Sequence, residues 1–492
     1  MHGLGNNILT EQDCDNIRAF KLRIMSNMSR SVFNQMCHTF GHKLDISSEW
    51  VILHRMATLS GVEPKAYDCC INSCMAYTRT HAQKQLCDYC HENHFSLSGK
   101  PHRQFLYLPV GPRLTSFFQN KKMVEKLSYR CNYVSEPGTI EDVFDAEHYQ
   151  TLLKSKVVID GQEKHWRYFS GKNDIAFSLC TDGYQLLGKR RKGPSATPIV
   201  LQNFNLSPEI CIKLDDLICA GVIPGPKPPK DMASFFAPLD DECVTLAVGL
   251  PAYDCVAKQN FTLHAYNIFM EGDIVAMEKM LGIKGHNGFS PCRSCDIKGC
   301  RDVTHGGKTY YVPLGLPGLK GKPSKQWNPK KLDKRTHEGF ADRLAEIKQA
   351  GNKKHAAKLA MHYGIREAPI FGRVGSINYA RSCPWDWMHL FLLNVIPNLV
   401  DHWTGNFKNL DAGTGTFEIA PQIWAEIGEE TAAAVQIFLQ PLYGFSAILQ
   451  KIGACLQQSL GPFGSCTLHP LSCSDGSKIQ STIITCVHWL KS

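Results

Sequence analysis

The cysteines of this chain are unevenly distributed, and their distribution limits what the chain can fold into. Of the 21 cysteines in 492 residues, two groups are closely spaced, one from Cys69 to Cys90 and one from Cys292 to Cys300. The N-terminal residues are polar and lack the apolar segment of a secretory signal, so disulfides are not expected. Closely spaced cysteines in such a chain indicate metal ligation, and the scattered cysteines are expected to be small buried side chains.

The first group has the spacing of a zinc ribbon. Its predicted ligands are Cys70, Cys74, Cys87 and Cys90. Each pair can lie on a tight turn, and four thiolates complete the tetrahedral coordination of a structural zinc ion. Cys69 is an alternative to Cys70, and His91 and His94 are further donors.

The second group predicts another zinc site. Its predicted ligands are Cys292, Cys295, Cys300 and His305. An alternative is that only Cys292 and Cys295 bind, with further ligands supplied from elsewhere in the chain. Pro291, Cys292 and Cys295 also match half of the zinc deaminase signature. No histidine of the chain is followed two positions later by glutamate, so the deaminase interpretation fails.

Overall composition indicates a globular protein. Hydrophobic residues make up 43% and charged residues 20% of the chain, which excludes a disordered or fibrous protein. No window approaches ~18 consecutive apolar residues, so no membrane span is expected. The formal net charge of +9 is compatible with binding to nucleic acid.

Two aspartates follow predicted strands. The sequence NDIAFSLCTDG predicts a strand that ends at Asp182, and FTLHAYNIFMEGD predicts one that ends at Asp273. Phosphoryl-transfer folds place carboxylates at neighbouring strand ends, where they bind two Mg²⁺ ions. On spacing alone the alternative stays open that each aspartate only begins a turn.

Basic residues near these strands could contact phosphates. The candidates are Lys189, Arg190, Arg191 and Lys192 in a turn after Asp182, and Lys330 and Lys331 in a basic stretch over 318–360. Such charge runs are also common on solvated surfaces.

Four stretches, taken in order, resemble one known family. They are YDCCINSCMAYTRTHAQKQLCDYC, FSLCTDGYQLLGKRRKGPSATPIVLQNFNLSPE, MEGDIVAMEKMLGIKGHNGFSPCRSC and CPWDWMHLFLLNVIPNLVDHW. Together they resemble the Tnp2-type transposases of CACTA (En/Spm) DNA transposons, in their fungal form. Each motif alone is weak, but the combination and order are specific.

The resemblance implies an α/β fold. Its RNase H-like core, a mixed sheet with flanking helices, would be interrupted by a zinc-binding insertion and preceded by a small zinc-ribbon-like module. It implies a DDE-type DNA transposase that cuts and joins transposon ends by two-metal phosphoryl transfer. Mg²⁺ or Mn²⁺ would be the catalytic cofactor and Zn²⁺ a structural one. The partners would be transposon terminal repeats and target DNA, bound by a homo-oligomer in the nucleus.

The resemblance also assigns roles to residues. Asp182 and Asp273 would be the first two catalytic acids, and Asp386 and His389 an accessory pair. From the residues alone, Asp386 and His389 would be a hydrogen-bonded pair on a buried helix. The third acid, expected downstream, is not identified, although Glu426 and Glu430 are available.

The sequence after Lys451 departs from a normal domain composition. It is rich in Ser, Cys and Gly and contains a single acid, Asp475. Our hypothesis is that the reading frame departs from the family near Lys451 and that the catalytic glutamate is lost. The alternative function is therefore a catalytically inactive, zinc-stabilised DNA-binding protein derived from a transposase.

The predicted organisation has seven parts. These are a helical segment (1–60), a zinc-ribbon-like module (61–100), a linking helical region (101–170), the first part of the RNase H-like core (171–283), a Cys/His and basic insertion (284–380), a helical part with Asp-x2-His (381–450) and an atypical tail (451–492).

Overall fold

The computed structural model describes residues 9–185, 195–301, 310–312, 315–316, 325–406 and 418–438. The predicted basic turn at 189–192, the predicted ligand His305 and the tail at 451–492 lie outside these residues. The chain divides into two compact units, and the described residues through Pro384 belong to the first, those from Trp385 to the second.

Helices of the first unit are distributed along its whole length. They are α1 (Glu11–Met25), α2 (Arg30–Phe40), α3 (Glu49–Ser60), α4 (Gly111–Phe117), α5 (Lys121–Leu127), α6 (Tyr129–Asn132), α7 (Glu147–Lys154), α8 (Pro208–Cys211), α9 (Met232–Val248), α10 (Ile274–Met280), α11 (His337–Gln349) and α12 (Lys353–Tyr363). Short 3₁₀ turns lie at Arg79–His81, Val143–Asp145 and Pro329–Lys331.

Strands of the same unit alternate with these helices. They are β1 (Lys65–Cys69), β2 (Arg103–Tyr107), β3 (Lys156–Ile159), β4 (Gln162–Arg167), β5 (Ile175–Cys180), β6 (Tyr184–Gln185), β7 (Ser195–Asn203), β8 (Ile218–Pro224), β9 (Leu250–Asp254), β10 (Gln259–Leu263), β11 (Ala265–Glu271), β12 (Cys300–Arg301), β13 (Tyr310–Tyr311), β14 (Gly315–Leu316) and β15 (Lys325–Gln326).

One mixed sheet organises the first unit. Its strand order is β1-β2-β8-β7-β5-β11, and β6 pairs with β7. All neighbours are antiparallel except β5 and β11, which run parallel. The predicted α/β class with a mixed sheet and flanking helices is therefore confirmed.

The core explains the apolar runs of the sequence. In β5 the residues Ile175, Ala176 and Phe177 are all buried, as expected of a strand covered on both faces. Helix α9 contributes Phe235 and Phe236 to the same core and packs against β11. The stretch DECVTLAVGL, whose sequence fits a strand or a helix, lies almost wholly in α9.

Two local predictions differ from the structure. The single strand predicted over 261–273 is two strands, because β10 pairs with β9 in a hairpin and only β11 joins the main sheet. The linking helical region predicted over 101–170 begins instead with β2, because Phe105 and Tyr107 alternate into the core.

The second unit contains the predicted Asp-x2-His helix. A π-helical segment (Met388–Val395) continues into α13 (Ile396–Trp403), and α14 (Pro421–Phe438) follows. The helix is confirmed but its predicted burial is wrong, because within 385–406 only Val400 is buried. In the described parts of the chain, no helix combines the length and the apolar character needed to cross a bilayer.

Candidate functional site

The two predicted acids lie at the ends of neighbouring parallel strands. In the register of β5 with β11, Cys180 is opposite Glu271, and the backbone N–H of Thr181 donates to the Glu271 carbonyl at 3.1 Å. Asp182 and Asp273 each lie two residues beyond this pair. Because parallel strands end at the same edge of a sheet, the structure brings both aspartates to one edge.

Asp273 also begins a helix. It is the N-cap of α10, and its Oδ1 accepts a hydrogen bond from the Ala276 N–H at 2.6 Å. Asp273 is half-buried, whereas Asp182 is exposed. The capping bond orients the Asp273 carboxylate, so Asp273 has a structural role as a helix cap rather than as a turn residue, and this role is compatible with a second one.

A third carboxylate at this edge was missed in the sequence. The thiol of Cys180 donates to Glu271 Oε2 at 3.3 Å, and burial raises the pKa of Cys180 well above its usual value. This third carboxylate is Glu271. The sequence feature that could have revealed it is the tripeptide Glu271-Gly272-Asp273, in which Glu271 lies two residues before the predicted strand end at Asp273. Among the residues described, these acids do not form a group of three ligand atoms within 4.8 Å.

A cationic cluster beside Asp273 was also missed. Lys279 on α10 is half-buried, and burial lowers its pKa, with Arg366 and Lys230 acting in the same direction and Asp273 opposing them. The backbone brings the segments of Arg366 and Lys279 together, because the Arg366 N–H donates to the Gly282 carbonyl at 2.7 Å, three residues beyond Lys279. No sequence signal links the three residues, since they come from distant segments.

The first cysteine group forms a compact cluster. The Sγ atoms of Cys70, Cys74, Cys87 and Cys90 all lie within 4.8 Å of one another, and three of the four residues are buried. It is the one group of three or more potential metal donors among the described residues. Four convergent sulfurs are the donor set that structural zinc prefers, so this group could hold a zinc ion.

Hydrogen bonds in this four-cysteine cluster favour the thiolate form at Cys90, whereas burial raises the pKa of Cys70 to about 11 and also raises the pKa of Cys74. The backbone N–H of Asn72 donates to Cys70 Sγ at 3.3 Å, and its side-chain amide donates to Cys90 Sγ at 3.6 Å. Burial acts to raise the pKa of Cys90, but bonds from the Glu92 backbone and Asn72 outweigh it and lower that pKa to about 7. Thiolate is the form that ligates metal.

The three alternative donors, Cys69, His91 and His94, are not part of the four-sulfur group. Cys69 is buried in the main core and is not part of the cluster. His94 stacks on Tyr77 with ring centroids 3.5 Å apart, and its Nε2 lies 3.0 Å from Asp68 Oδ2. Cys70, rather than Cys69, is therefore the fourth sulfur, and His94 supports the site from outside.

In the second group, Cys292 and Cys295 are close enough for their thiols to interact. The Ser294 N–H donates to Cys292 Sγ at 3.3 Å, as in a metal-binding turn. Cys300 pairs with Tyr311 through β12 and does not complete a group of three donors within 4.8 Å in the described chain. With His305 undescribed, this zinc site stays a prediction.

The remaining predicted residues are mostly on the surface. Lys330 and Lys331 are exposed on a 3₁₀ turn, and Glu426 and Glu430 are exposed on α14 of the second unit. Their roles stay predictions.

Asp386 and His389 form the pair expected from their spacing. The Nδ1 of His389 donates to Asp386 Oδ2, and Asp386 Oδ1 accepts from the His389 backbone N–H at 3.2 Å. Burial acts to raise the pKa of Asp386, but the bonds from His389 outweigh it, so the pKa is lowered. The pair is half-buried, and its accessory role stays a prediction.

Comparison with known proteins gives one result that bears on function. No curated protein matches the chain. Residues 157–315 match the model of the transposase family tnp2, and this range contains both strand-end aspartates and the Cys292–Cys295 pair. The resemblance seen in the sequence is therefore confirmed at the level of this family. Residues 157–315 are therefore the part of this chain that is similar to the transposase family tnp2.

Proposed function

We propose that this chain is a DNA transposase of the DDE type, which cuts and joins transposon ends by two-metal phosphoryl transfer. The observation that carries the proposal is that Asp182 and Asp273, within the tnp2 segment, follow the parallel neighbours β5 and β11. The CACTA assignment, the fungal form, the nuclear location and assembly as a homo-oligomer belong to the same proposal, on the resemblance alone.

The strand order supports an RNase H-like core. Strands β5, β7 and β8 are consecutive antiparallel neighbours, and the chain then crosses through α9 to β11, on the other side of β5 and parallel to it. Asp182, just beyond the end of β5, is exposed, and Asp273, just beyond the end of β11, is half-buried, so a ligand can reach this edge.

The donor set at the strand ends suits Mg²⁺ or Mn²⁺. Carboxylate oxygens are the ligands that these hard cations prefer, and Asp182 and Asp273 would hold them. Held there, such ions would supply activation of the attacking oxygen and stabilisation of the leaving oxygen of the phosphodiester.

The chain's own residues would position the DNA. The α10 cap would keep the Asp273 carboxylate oriented, and the ammonium of Lys279 would attract the phosphate backbone next to it. Our proposal keeps Glu426 and Glu430 as the candidates for the third acid of the DDE triad.

The second candidate is a catalytically inactive DNA-binding protein stabilised by zinc. It is favoured by the tail sequence, which lacks the expected glutamate, and by the compact four-cysteine cluster, which needs no catalytic acid. Both candidates predict DNA binding that weakens as salt increases.

Metal-dependent nicking of DNA carrying the element's own termini distinguishes them. We would compare the wild type with Asp182→Asn and Asp273→Asn, because asparagine keeps the capping oxygen of residue 273 and removes the charge. Asp342→Asn, an exposed acid on α11, is the matched control.

Nicking that both strand-end variants lose and the control keeps would support the transposase. A wild type that binds DNA in a salt-sensitive way without nicking it would favour the inactive protein. Absence of DNA binding would contradict both candidates.

A further inference from the structure

The N-terminal helices form a bundle with its own core. Residues of α1, α2 and α3 pack into a separate apolar cluster made of Ala19, Phe20, Phe33, Ile52 and Leu53. A buried ion pair between Arg23 and Glu49 ties α1 to α3. The bundle therefore holds its helices in a defined geometry.

Helices α1 and α2 are joined as in a helix-turn-helix. Only four residues, 26–29, separate them, and Asn27 takes the left-handed conformation with φ 52°. Ser29 then caps α2, because its hydroxyl accepts a hydrogen bond from the Val32 N–H at 3.2 Å. A turn of three to four residues is typical of this DNA-binding motif, in which the second helix reads the major groove.

Helix α2 has one apolar and one polar face. Phe33 is fully buried in the bundle, whereas the polar side chains of the opposite face are exposed. These exposed residues are Ser31, Asn34, Gln35, His38 and Thr39. Asparagine and glutamine are the side chains that pair with both N6 and N7 of adenine, and serine and threonine bond to several bases.

The charge around α2 suits a polyanion. No acidic residue lies between Asp15 and Asp45 in the sequence, whereas Arg18, Lys21 and Lys43 lie between them. Arg30, at the start of α2, is about half exposed (47%), although its Nε also contacts Glu49 at 3.1 Å. Of these cations, Arg18 also pairs with Asp15 at 2.9 Å. A polar helix face without acids, in a segment that is basic overall, matches the surface of duplex DNA better than a protein partner.

We propose that α2 enters the major groove of duplex DNA, where Asn34, Gln35 and His38 read base edges. The choice of DNA as ligand rests on the proposed function, whereas the choice of helix rests on the geometry of the bundle. This site is separate from the strand ends, so sequence recognition and phosphoryl transfer would use different parts of the chain.

The test measures sequence preference with the full-length, zinc-loaded chain. Selection from a pool of random-sequence duplexes gives a preferred duplex, and fluorescence anisotropy then compares its affinity with that of a shuffled duplex. The test variant is Asn34→Ala with Gln35→Ala, and the control is Gln349→Ala, an exposed glutamine on α11. Arg30 is left unchanged because its contact with buried Glu49 would confound the result.

The double variant should bind the preferred duplex about tenfold more weakly and the shuffled duplex about as well as the wild type does. Its thermal midpoint should equal that of the control, since both changed side chains are exposed. An unchanged preference, or a wild type that selects no sequence, would overturn this inference and leave the proposed function standing. No binding to any duplex would overturn both.

Discussion

Gly272 is the residue that allows β11 to approach β5 where the two acids emerge. A Cβ atom at this position would lie 2.5 Å from the Thr181 carbonyl oxygen and 3.1 Å from the Ala276 Cβ. The first contact is with backbone, which cannot rotate away as a side chain can. Any larger residue must therefore displace the strand end that carries Asp182 or the helix start that carries Asp273.

We expect Gly272→Ala to lower the free energy of unfolding by about 1–3 kcal/mol, the usual cost of overpacking a filled site. Urea unfolding checks this. Gly351→Ala is the control, because a Cβ there meets nothing within 4 Å. Equal stability of the two variants would contradict the steric argument.

His148 is a second residue whose role depends on its surroundings. It is buried, and its Nε2 lies 2.9 Å from the Ser376 carbonyl oxygen and 3.0 Å from Ser382 Oγ. Burial lowers the pKa of His148 below the ordinary value of 6.5. At pH values below 6.5 the unfolded chain therefore binds a proton more readily than the folded chain does.

The consequence is a loss of stability on acidification. The contribution of His148 is fully present above pH 6.5 and decreases as the pH falls toward its lowered folded-state pKa. We expect the free energy of unfolding to fall more steeply over this range in the wild type than in His148→Gln. Parallel pH profiles for the two proteins would rule out this role.

At the scale of elements, the segment that carries the four-cysteine cluster contributes a strand to the main sheet. It also forms hydrogen bonds with the residues around the start of α9. Its strand β1 pairs with β2, and the Cys74 carbonyl accepts hydrogen bonds from the Lys230 and Asp231 N–H groups, both at 2.9 Å. Thr78 Oγ1 donates to the Ser234 carbonyl at 2.6 Å. The segment therefore holds the start of α9, the helix that leads toward β11.

Because the cysteine segment holds the start of α9, loss of zinc should lower the stability of the main sheet as well as that of the cysteine segment. We expect Cys74→Ser to lose one zinc ion per chain and to lower the thermal midpoint of the whole first unit, whereas Cys131→Ser, an exposed cysteine, changes neither. Metal analysis and circular dichroism check this. Unchanged zinc content in Cys74→Ser would contradict the assignment of zinc to the four-cysteine cluster. The zinc content of Cys292→Ser would test the second predicted zinc site in the same way.

At the scale of the molecule, cations from two further segments and Asp273 all act electrostatically on Lys279. Lys230 precedes α9, Lys279 lies on α10, and Arg366 follows α12. Arg366 is partly engaged with Glu367, at 3.1 Å, whereas Lys279 is held half-buried by the surrounding fold. Such a fixed cation is better placed to contact a phosphate than a lysine on the open surface, because less side-chain freedom is lost on binding.

We expect Lys279→Gln to weaken DNA binding and to reduce the slope of log affinity against log salt by about one. Lys348→Gln, an exposed lysine of α11, is the control and should leave the slope unchanged. Anisotropy titrations at several salt concentrations measure both. If Lys279→Gln keeps the wild-type slope, Lys279 does not contact phosphate.

The sequence by itself determined those features that depend on neighbouring residues. The spacing of Cys70, Cys74, Cys87 and Cys90 predicted a cluster that the structure contains. Alternation and turn residues predicted that Asp182 and Asp273 follow strands, because strand ends are set by local patterns. The order of the motifs was enough to predict the tnp2 family.

Only the tertiary structure decided features that depend on which distant segments pack together. It excluded Cys69 from the four-cysteine cluster and paired His94 with Asp68. It also left the apolar helix from Met388 to Trp403 mostly half-buried rather than buried, because burial needs a covering partner that periodicity cannot reveal. It also placed Lys279 beside Arg366 and turned the polar face of α2 outward. These features depend on long-range contacts, and no local spacing encodes the identity of the partner in such a contact.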